Sequence, residues 1–180
     1  RAAAIERTIS HVPFAAQTGA AIVIGLLRGI VKPGVTHAQA MDWLVAALKQ
    51  CCAAARPHGV RLALEPICRY ETTLINNLTQ GLDLLERVGA EKMGLMPDTF
   101  HMNIEEPVIE DSIRACGDRI FHFHVADSNR WYPGAGHLNF PSMLDALFVT
   151  GYQGFVGQEF IPKRADKLAS LKQGVEICDV

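Results

Sequence analysis

The sequence predicts a single α/β domain in which parallel strands are covered by helices. Short apolar runs rich in β-branched residues alternate with longer stretches whose apolar side chains recur at helical spacing. The short runs are hydrophobic almost throughout, which is typical of parallel strands that pack against helices. The 180 residues contain no internal linker or low-complexity stretch, and 49% of them are hydrophobic, enough for one core.

The predicted elements begin with a helix and then alternate between strand and helix. Residues 1–19 read as the tail of a helix that ends at a glycine, and the aliphatic run 21–27 forms the first strand. Residues 37–56 carry apolar side chains at i, i+3, i+4 and i+7 spacing, which predicts an amphipathic helix. Thr36 stands directly before this helix, where its hydroxyl can cap the first turn.

The same alternation continues to the end of the chain. Further strands are predicted at residues 60–65, 93–97, 120–126 and 154–160, and further helices at 77–88, 108–116, 141–150 and 165–177. Five strands alone are compatible with either a barrel or an open doubly wound sheet. No G-x-G-x-x-G motif follows any of them, so the usual phosphate-binding signature of the open sheet is missing.

Four successive predicted strands each carry a potential metal ligand at the carboxyl end. These residues are Glu65, Asp98, His124 and Glu159. They follow one another at intervals of about 30 residues, the length of one βα unit. In a barrel the four strand ends converge on one point of the catalytic rim, whereas an open sheet spreads them along a line. The pattern therefore favours a (β/α)8 barrel.

Three carboxylates and one imidazole form a mostly oxygen-donor site. Such a site suits Mn²⁺, our first expectation, or Mg²⁺ or Co²⁺, rather than a closed tetrahedral zinc. Two remaining octahedral positions would accept adjacent oxygens of an α-hydroxyketone. Taken singly, a glutamate at a strand end is more often an ion-pair partner, and a lone histidine is more often a core residue. The regular spacing of the set favours the metal site.

Four segments resemble those of one enzyme group. They are LEPICRYET (residues 64–72), DTFHMNIEE (98–106), HVADSNRWYPGAGHLNF (124–140) and GQEF (157–160). They are similar to the ligand-bearing segments of ketose 3-epimerases related to D-tagatose and D-psicose 3-epimerase, in the xylose-isomerase-like TIM-barrel superfamily. Cys68 departs from the group, which usually has asparagine there, so a hydrogen bond near the substrate would be missing or altered.

The resemblance implies roles for individual residues. The metal ligands would be Glu65, Asp98, His124 and Glu159. Glu65 and Glu159 would also form the acid/base pair on opposite faces of the bound ketose. Glu71, His101 and Arg130 would hold the O1–O3 end of the sugar.

The implied activity is that of an isomerase. A proton next to the carbonyl of a ketose or keto-sugar acid would be removed through a metal-stabilised enediolate, most simply with inversion at C3. An aldose–ketose isomerase of the hydroxypyruvate isomerase kind and a hydro-lyase of the inosose dehydratase kind are alternatives. A non-catalytic binding module is a further alternative if missing segments have removed activity. Endonuclease IV shares the barrel, but it needs more histidine and aspartate ligands and a basic rim, whereas this chain has a formal net charge of −2.

The length and composition limit the domain and its partners. A complete barrel needs about 250 residues, so we expect residues 1–180 to be one domain truncated at both ends, holding about the third to the seventh strand. The dispersed charges argue against a nucleic acid as partner, and the longest apolar run is too short for a membrane span.

Five cysteines without C-x-x-C spacing are typical of reduced thiols in a cytoplasmic enzyme. We expect a small sugar as substrate, and the resemblance implies a homodimer or homotetramer.

Overall fold

The computed structural model describes residues 1–162 and 166–179. Eight helices and five strands alternate within these residues. The helices are α1 (Ala2–Ser10), α2 (Val12–Thr18), α3 (His37–Ala55), α4 (Leu78–Val88), α5 (Thr99–Glu105), α6 (Ile109–Cys116), α7 (Phe140–Val149) and α8 (Lys167–Cys178). The strands are β1 (Ile22–Ile24), β2 (Leu62–Leu64), β3 (Met93–Leu95), β4 (Phe123–Val125) and β5 (Val156–Gln158). Short 3₁₀ turns span Leu26–Arg28, Arg56–His58 and Gly117–Arg119. None of the described helices is both long and apolar enough to cross a bilayer.

The strands pair in parallel and in chain order. One sheet has the order β1-β2-β3 and a second sheet pairs β4 with β5. Isolated bridges from Leu95 to Ile120 and from Asp98 to His124 join the two sheets. A doubly wound sheet reverses its strand order partway, whereas a barrel keeps it. The described strands therefore form an open arc of a barrel, which confirms the predicted α/β class and the incomplete barrel.

The core lies between this arc and the inner faces of the helices. The apolar side chains of β2, β3 and β4 are almost completely buried, among them Leu62, Leu64, Met93, Leu95 and Phe123. On α4 the buried residues recur at helical spacing and turn one face of the helix toward the strands. The side chains of Thr36 and Asn77 cap α3 and α4, because they accept hydrogen bonds from the backbone N–H groups of Gln39 and Gln80, respectively.

The single helix predicted over residues 1–19 is two helices. The first ends at Ser10, and α2 starts at Val12 with Pro13 in its first turn. Proline has no N–H to donate, and its ring clashes with the carbonyl four residues earlier, so one continuous helix cannot pass this point. The predicted end at Gly19 is confirmed, because this residue has a left-handed φ of 69°.

The first strand is shorter than predicted. Of residues 21–27 only Ile22–Ile24 pair with β2, because the chain bends at Gly25 into the turn Leu26–Arg28. The other four strands lie within their predicted ranges and are also three residues long. The predicted start of the last helix at Ala165 lies outside the described residues.

Gly94 of β3 is expected to tolerate no side chain. An added Cβ would lie 2.6 Å from the backbone oxygen of Arg119 and from the ring of Phe121. Gly94→Ala should therefore cost about 2 kcal/mol of stability by overpacking and lower the Tm by about 4–8 °C in a chain of this length. Thermal unfolding followed by circular dichroism measures the shift. Gly151→Ala is the control, because its added Cβ meets open space and only its φ of 80° opposes alanine. Equal losses for the two variants would contradict the packing argument.

Candidate metal centre

The four predicted ligands lie at the same end of the strand arc. Glu65 directly follows β2 and Glu159 directly follows β5. His124 is the central residue of β4, and Asp98 lies opposite it in the turn between β3 and α5. The backbone fixes these positions, because the N–H of Glu159 donates to the carbonyl of Val125 at 3.1 Å. Each side chain is thus carried by the strand framework rather than by a free loop.

The structure brings these side chains together in two overlapping groups. In one group, ligand atoms of Glu65, Asp98 and His101 lie within 4.8 Å of one another. In the other, ligand atoms of Asp98, His124 and Glu159 do so. Asp98 belongs to both groups, so the other predicted ligands surround its carboxylate. His101, which the resemblance placed at the sugar, also lies among them.

The two carboxylate oxygens of Asp98 differ in their hydrogen bonding. Oδ1 accepts a hydrogen bond from the N–H of Phe100 at 2.8 Å and so caps α5. Oδ2 is buried and has no hydrogen-bond partner among the described residues, and the same holds for Nδ1 of His124. A buried polar atom without a partner is costly. Two such atoms in one group, beside the Glu159 carboxylate, fit a cation held between them.

The electrostatics of the cluster also fit a cation. Burial, followed by the charges of Asp98 and Glu159, raises the pKa of Glu65 to about 8. Burial also raises the pKa of Asp98, and the charge of Glu159 adds to the effect. Burial lowers the pKa of His124, which favours the neutral form of its imidazole. Neutral imidazoles are metal ligands, and a divalent cation offsets the repulsion between crowded carboxylates.

Gly25 leaves room for the carboxylate of Glu65. An added Cβ would lie 2.8 Å from Glu65 Oε2. Gly25→Ala is expected to displace this carboxylate and to weaken Mn²⁺ binding about tenfold, the scale typical of changes next to metal ligands. Isothermal titration calorimetry measures the affinity. In a Glu65→Ala background the same change should have no further effect, because the displaced group is gone. If Gly25→Ala weakens Mn²⁺ binding equally with and without Glu65, the displacement of this carboxylate is not the cause.

Arg130 and Glu71, two of the predicted sugar-binding residues, form an ion pair at the edge of the centre. Nη1 of Arg130 lies 2.9 Å from Glu71 Oε1, and Nη2 lies 3.7 Å from Glu159 Oε2. The guanidinium also lies over the ring of Phe100, 4.8 Å from its centroid. The backbone φ of Arg130 is 60°, a strained value for a residue other than glycine. Such strain is concentrated at functional sites.

His101, the third predicted sugar-binding residue, is almost completely buried on α5. Its Nδ1 accepts a hydrogen bond from the N–H of Cys68 at 3.3 Å, and its Nε2 lies 3.7 Å from Glu65 Oε1. Burial, helped by the charge of Arg130, lowers the pKa of His101 to about 4. The imidazole is therefore neutral and links the loop after β2 to the ligand cluster.

Two residues that support the site were missed in the sequence. The guanidinium of Arg28 donates to the carbonyls of Glu65, Leu74, Ile75 and Gly25 at 2.7 to 3.1 Å and so fixes the loop after β2. Asp127 is fully buried, and its carboxylate accepts hydrogen bonds from the N–H groups of Ser128, Gly134 and Leu138. It thereby shapes the loop that carries Arg130. An aspartate directly after a predicted strand and before serine and asparagine is a signal for such a turn, whereas the contacts of Arg28 have no local signal.

Comparison of the sequence and structure with known proteins identifies the family of this chain. The model of the xylose isomerase-like TIM barrel family matches residues 1–178. The chain is 39% identical over 107 residues to L-ribulose 3-epimerase of Mesorhizobium japonicum, an alignment that covers 59% of this chain and 36% of the relative. It is 37% identical over 107 residues to D-psicose 3-epimerase of Enterocloster bolteae, with the same coverage of 59% and 36%. The chain thus matches little more than a third of the length of these relatives.

Solved structures agree with the fold. The structure of an L-ribulose 3-epimerase superposes with a TM-score of 0.81 at 29% identity, over 96% of this chain and 59% of that one. The structure of 3-keto-D-glucoside 4-epimerase from E. coli superposes with a TM-score of 0.88 over 97% of this chain and 70% of that one, and at 23% identity this likeness concerns the fold alone. With a family model matching nearly all of its residues, the protein belongs to the xylose isomerase-like TIM barrel family.

Proposed function

We propose that this chain carries the metal centre and the acid/base pair of a sugar epimerase that inverts C3 of a ketose. The observation that carries the proposal is the convergence of Glu65, His124 and Glu159 on Asp98, where two buried ligand atoms have no hydrogen-bond partner among the described residues. The names of the similar proteins, L-ribulose and D-psicose 3-epimerase, support a ketose as substrate. A homodimer or homotetramer in the cytoplasm is part of the same proposal.

The centre would hold one divalent cation through Glu65, Asp98, His124 and Glu159. Three carboxylates and one imidazole favour Mn²⁺, with Mg²⁺ and Co²⁺ as alternatives, because these ions prefer oxygen-rich ligand sets. When bound, the cation would stabilise the negative charge that develops on the carbonyl oxygen as the neighbouring proton leaves.

Glu65 and Glu159 would move the proton. They follow β2 and β5, so they approach the centre from different parts of the arc. One carboxylate would take the proton from C3 while the other would return a proton to the opposite face, which inverts the carbon. Their surroundings differ, since the Glu65 side chain is 12% exposed and the Glu159 side chain is 51% exposed. Glu65 would thus work in a drier environment than Glu159.

The ion pair of Arg130 and Glu71 would orient the sugar. Its guanidinium and carboxylate offer hydrogen-bond donors and acceptors side by side at the edge of the centre. Hydroxyl groups of a sugar both donate and accept, so this pair can hold two neighbouring oxygens. His101, neutral and adjacent to Glu65, would assist at the carbonyl end.

Proton exchange in deuterated water tests the proposal. The chain is incubated with Mn²⁺ and each of D-fructose, D-psicose, D-tagatose and L-ribulose, and NMR locates the deuterium. We expect deuterium at C3 together with the C3 epimer, and loss of both after chelation of the metal. Label at C2 of an aldose product, with label at C1 of the recovered ketose, would indicate an aldose–ketose isomerase instead, and loss of water from the product would indicate a hydro-lyase. Absence of metal-dependent exchange at every carbon would overturn the activity.

A further inference from the structure

Cys68, Glu71 and His101 form a second cluster of potential ligands beside the proposed Mn²⁺ centre. Their ligand atoms lie within 4.8 Å of one another. Cys68 and Glu71 belong to the loop after β2, and His101 comes from α5. Cys68 and His101 are buried, whereas a third of the Glu71 side chain is exposed. The cluster is therefore accessible from solvent on the Glu71 side only.

The chemistry of this cluster differs from that of the first centre. It offers a thiol, an imidazole and one carboxylate, whereas the first offers mainly carboxylates. Thiolate ligands select softer cations, and one cysteine with one histidine and one carboxylate suits tetrahedral zinc with a fourth position left open. Zinc–ligand bonds of about 2.0 to 2.3 Å require ligand atoms about 3.5 Å apart. Side-chain rotations that close the cluster by about 1 Å would meet this requirement once His101 Nδ1 has released its hydrogen bond from the N–H of Cys68.

We propose that Cys68, Glu71 and His101 bind a thiophilic divalent cation of the zinc class, and that its binding excludes the sugar. The thiol would release its proton to solvent as the thiolate ligates the cation. The exclusion rests on the proposed function, in which Glu71, His101 and Arg130 hold the substrate. Glu71 can ligate a cation only after its 2.9 Å ion pair with Arg130 has opened. The cation and the sugar therefore compete for the same side chains.

Cobalt absorption tests the site without any activity measurement. The chain is saturated with Mg²⁺ to occupy the oxygen-rich centre, and Co²⁺ is then added as the probe. A cobalt–thiolate bond gives a charge-transfer absorption in the near ultraviolet. We expect this absorption in the unaltered chain and in the control Cys178→Ser, whose thiol lies at the end of α8. It should be absent in Cys68→Ser and in Cys68→Asn. Persistence of the absorption in these two variants, or its absence from the unaltered chain, would overturn the site.

Zinc affinity provides a second measurement that does not alter a buried residue. Glu71→Gln changes a partly exposed side chain, so loss of the fold is not expected. With the first centre occupied by saturating Mn²⁺, competition with a chromophoric chelator should show Zn²⁺ binding at least about tenfold weaker in this variant. The Mn²⁺ affinity, measured without Zn²⁺, should change less than about twofold, because Glu71 is not among the ligands of the first centre. A Zn²⁺ affinity equal to that of the unaltered chain would remove Glu71 from the site.

The exclusion of the sugar is tested separately. At saturating Mn²⁺, added Zn²⁺ should raise the KM for the ketose without lowering kcat, and Cys68→Asn should remove this effect. If the cobalt absorption is observed but Zn²⁺ does not raise the KM, the cation site is supported, and the proposal that the cation excludes the sugar is overturned. Failure of the proposed epimerase would appear as absence of exchange before any zinc is added, so the two failures are distinguishable.

Discussion

Glu159→Gln is expected to lower the Mn²⁺-dependent exchange of deuterium at C3 by about 10²- to 10⁴-fold, the contribution of a positioned acid or base. Glutamine keeps the size of the side chain and one oxygen that can face a cation, but it cannot take up or deliver a proton. Exchange in deuterated water, followed by NMR at saturating Mn²⁺, separates this loss from any loss of metal affinity.

The control for this prediction is Glu91→Gln. Glu91 is an exposed acid remote from the centre, and its removal changes the net charge by the same amount. This variant should exchange at the parental rate. If Glu159→Gln exchanges deuterium at C3 at the rate of the unaltered chain, another group must transfer the proton.

Asp98→Asn should weaken Mn²⁺ binding by at least about 100-fold, since even changes to residues that only support a ligand cost about 10- to 100-fold. Asparagine retains an oxygen that can accept the hydrogen bond from Phe100, so the cap of α5 is kept. What it removes is the negative charge of Oδ2, the buried oxygen that has no hydrogen-bond partner in the described part of the chain. Calorimetry, or the electron paramagnetic resonance signal of free Mn²⁺, measures the change.

Asp145→Asn is the matched variant for this experiment. Asp145 is exposed on α7, so the same chemical change there should leave the affinity unaltered. Tight Mn²⁺ binding by Asp98→Asn would place the cation away from the point where the two ligand groups overlap.

The sequence was most informative where a feature is local or periodic. Apolar runs and capping residues such as Thr36 located the strands and helices, and potential ligands recurring at four strand ends predicted the cluster of side chains that the structure brings together. The break before α2 was also accessible, because Pro13 marks it, but the helical pattern on both sides obscured it. Helix α5 was missed because seven residues are too few for a helical period to be recognised, although Asp98 is a recognisable cap.

Contacts between distant segments could not be predicted. Arg28 holds the loop that follows β2 through carbonyl groups 46 and 47 residues away, and no pattern around Arg28 indicates them. The left-handed backbone of Ile75, whose carbonyl receives one of these hydrogen bonds, is equally unexpected for a β-branched residue. The cluster of Cys68 with His101 depends on how α5 packs against the preceding loop, which is a property of the folded chain.

The unequal burial of the two glutamates has an isotopic consequence for the proposed reaction. A hydrogen taken up by Glu65 is shielded from bulk water and can return to the sugar before it is replaced. A hydrogen taken up by Glu159, whose side chain is 51% exposed, meets bulk water and is replaced quickly. Because the opposite glutamate supplies the hydrogen of the product, such a return re-forms the starting epimer. Recovered substrate would therefore keep its original C3 label when Glu65 is the base and lose it when Glu159 is the base, which distinguishes the two directions of the reaction.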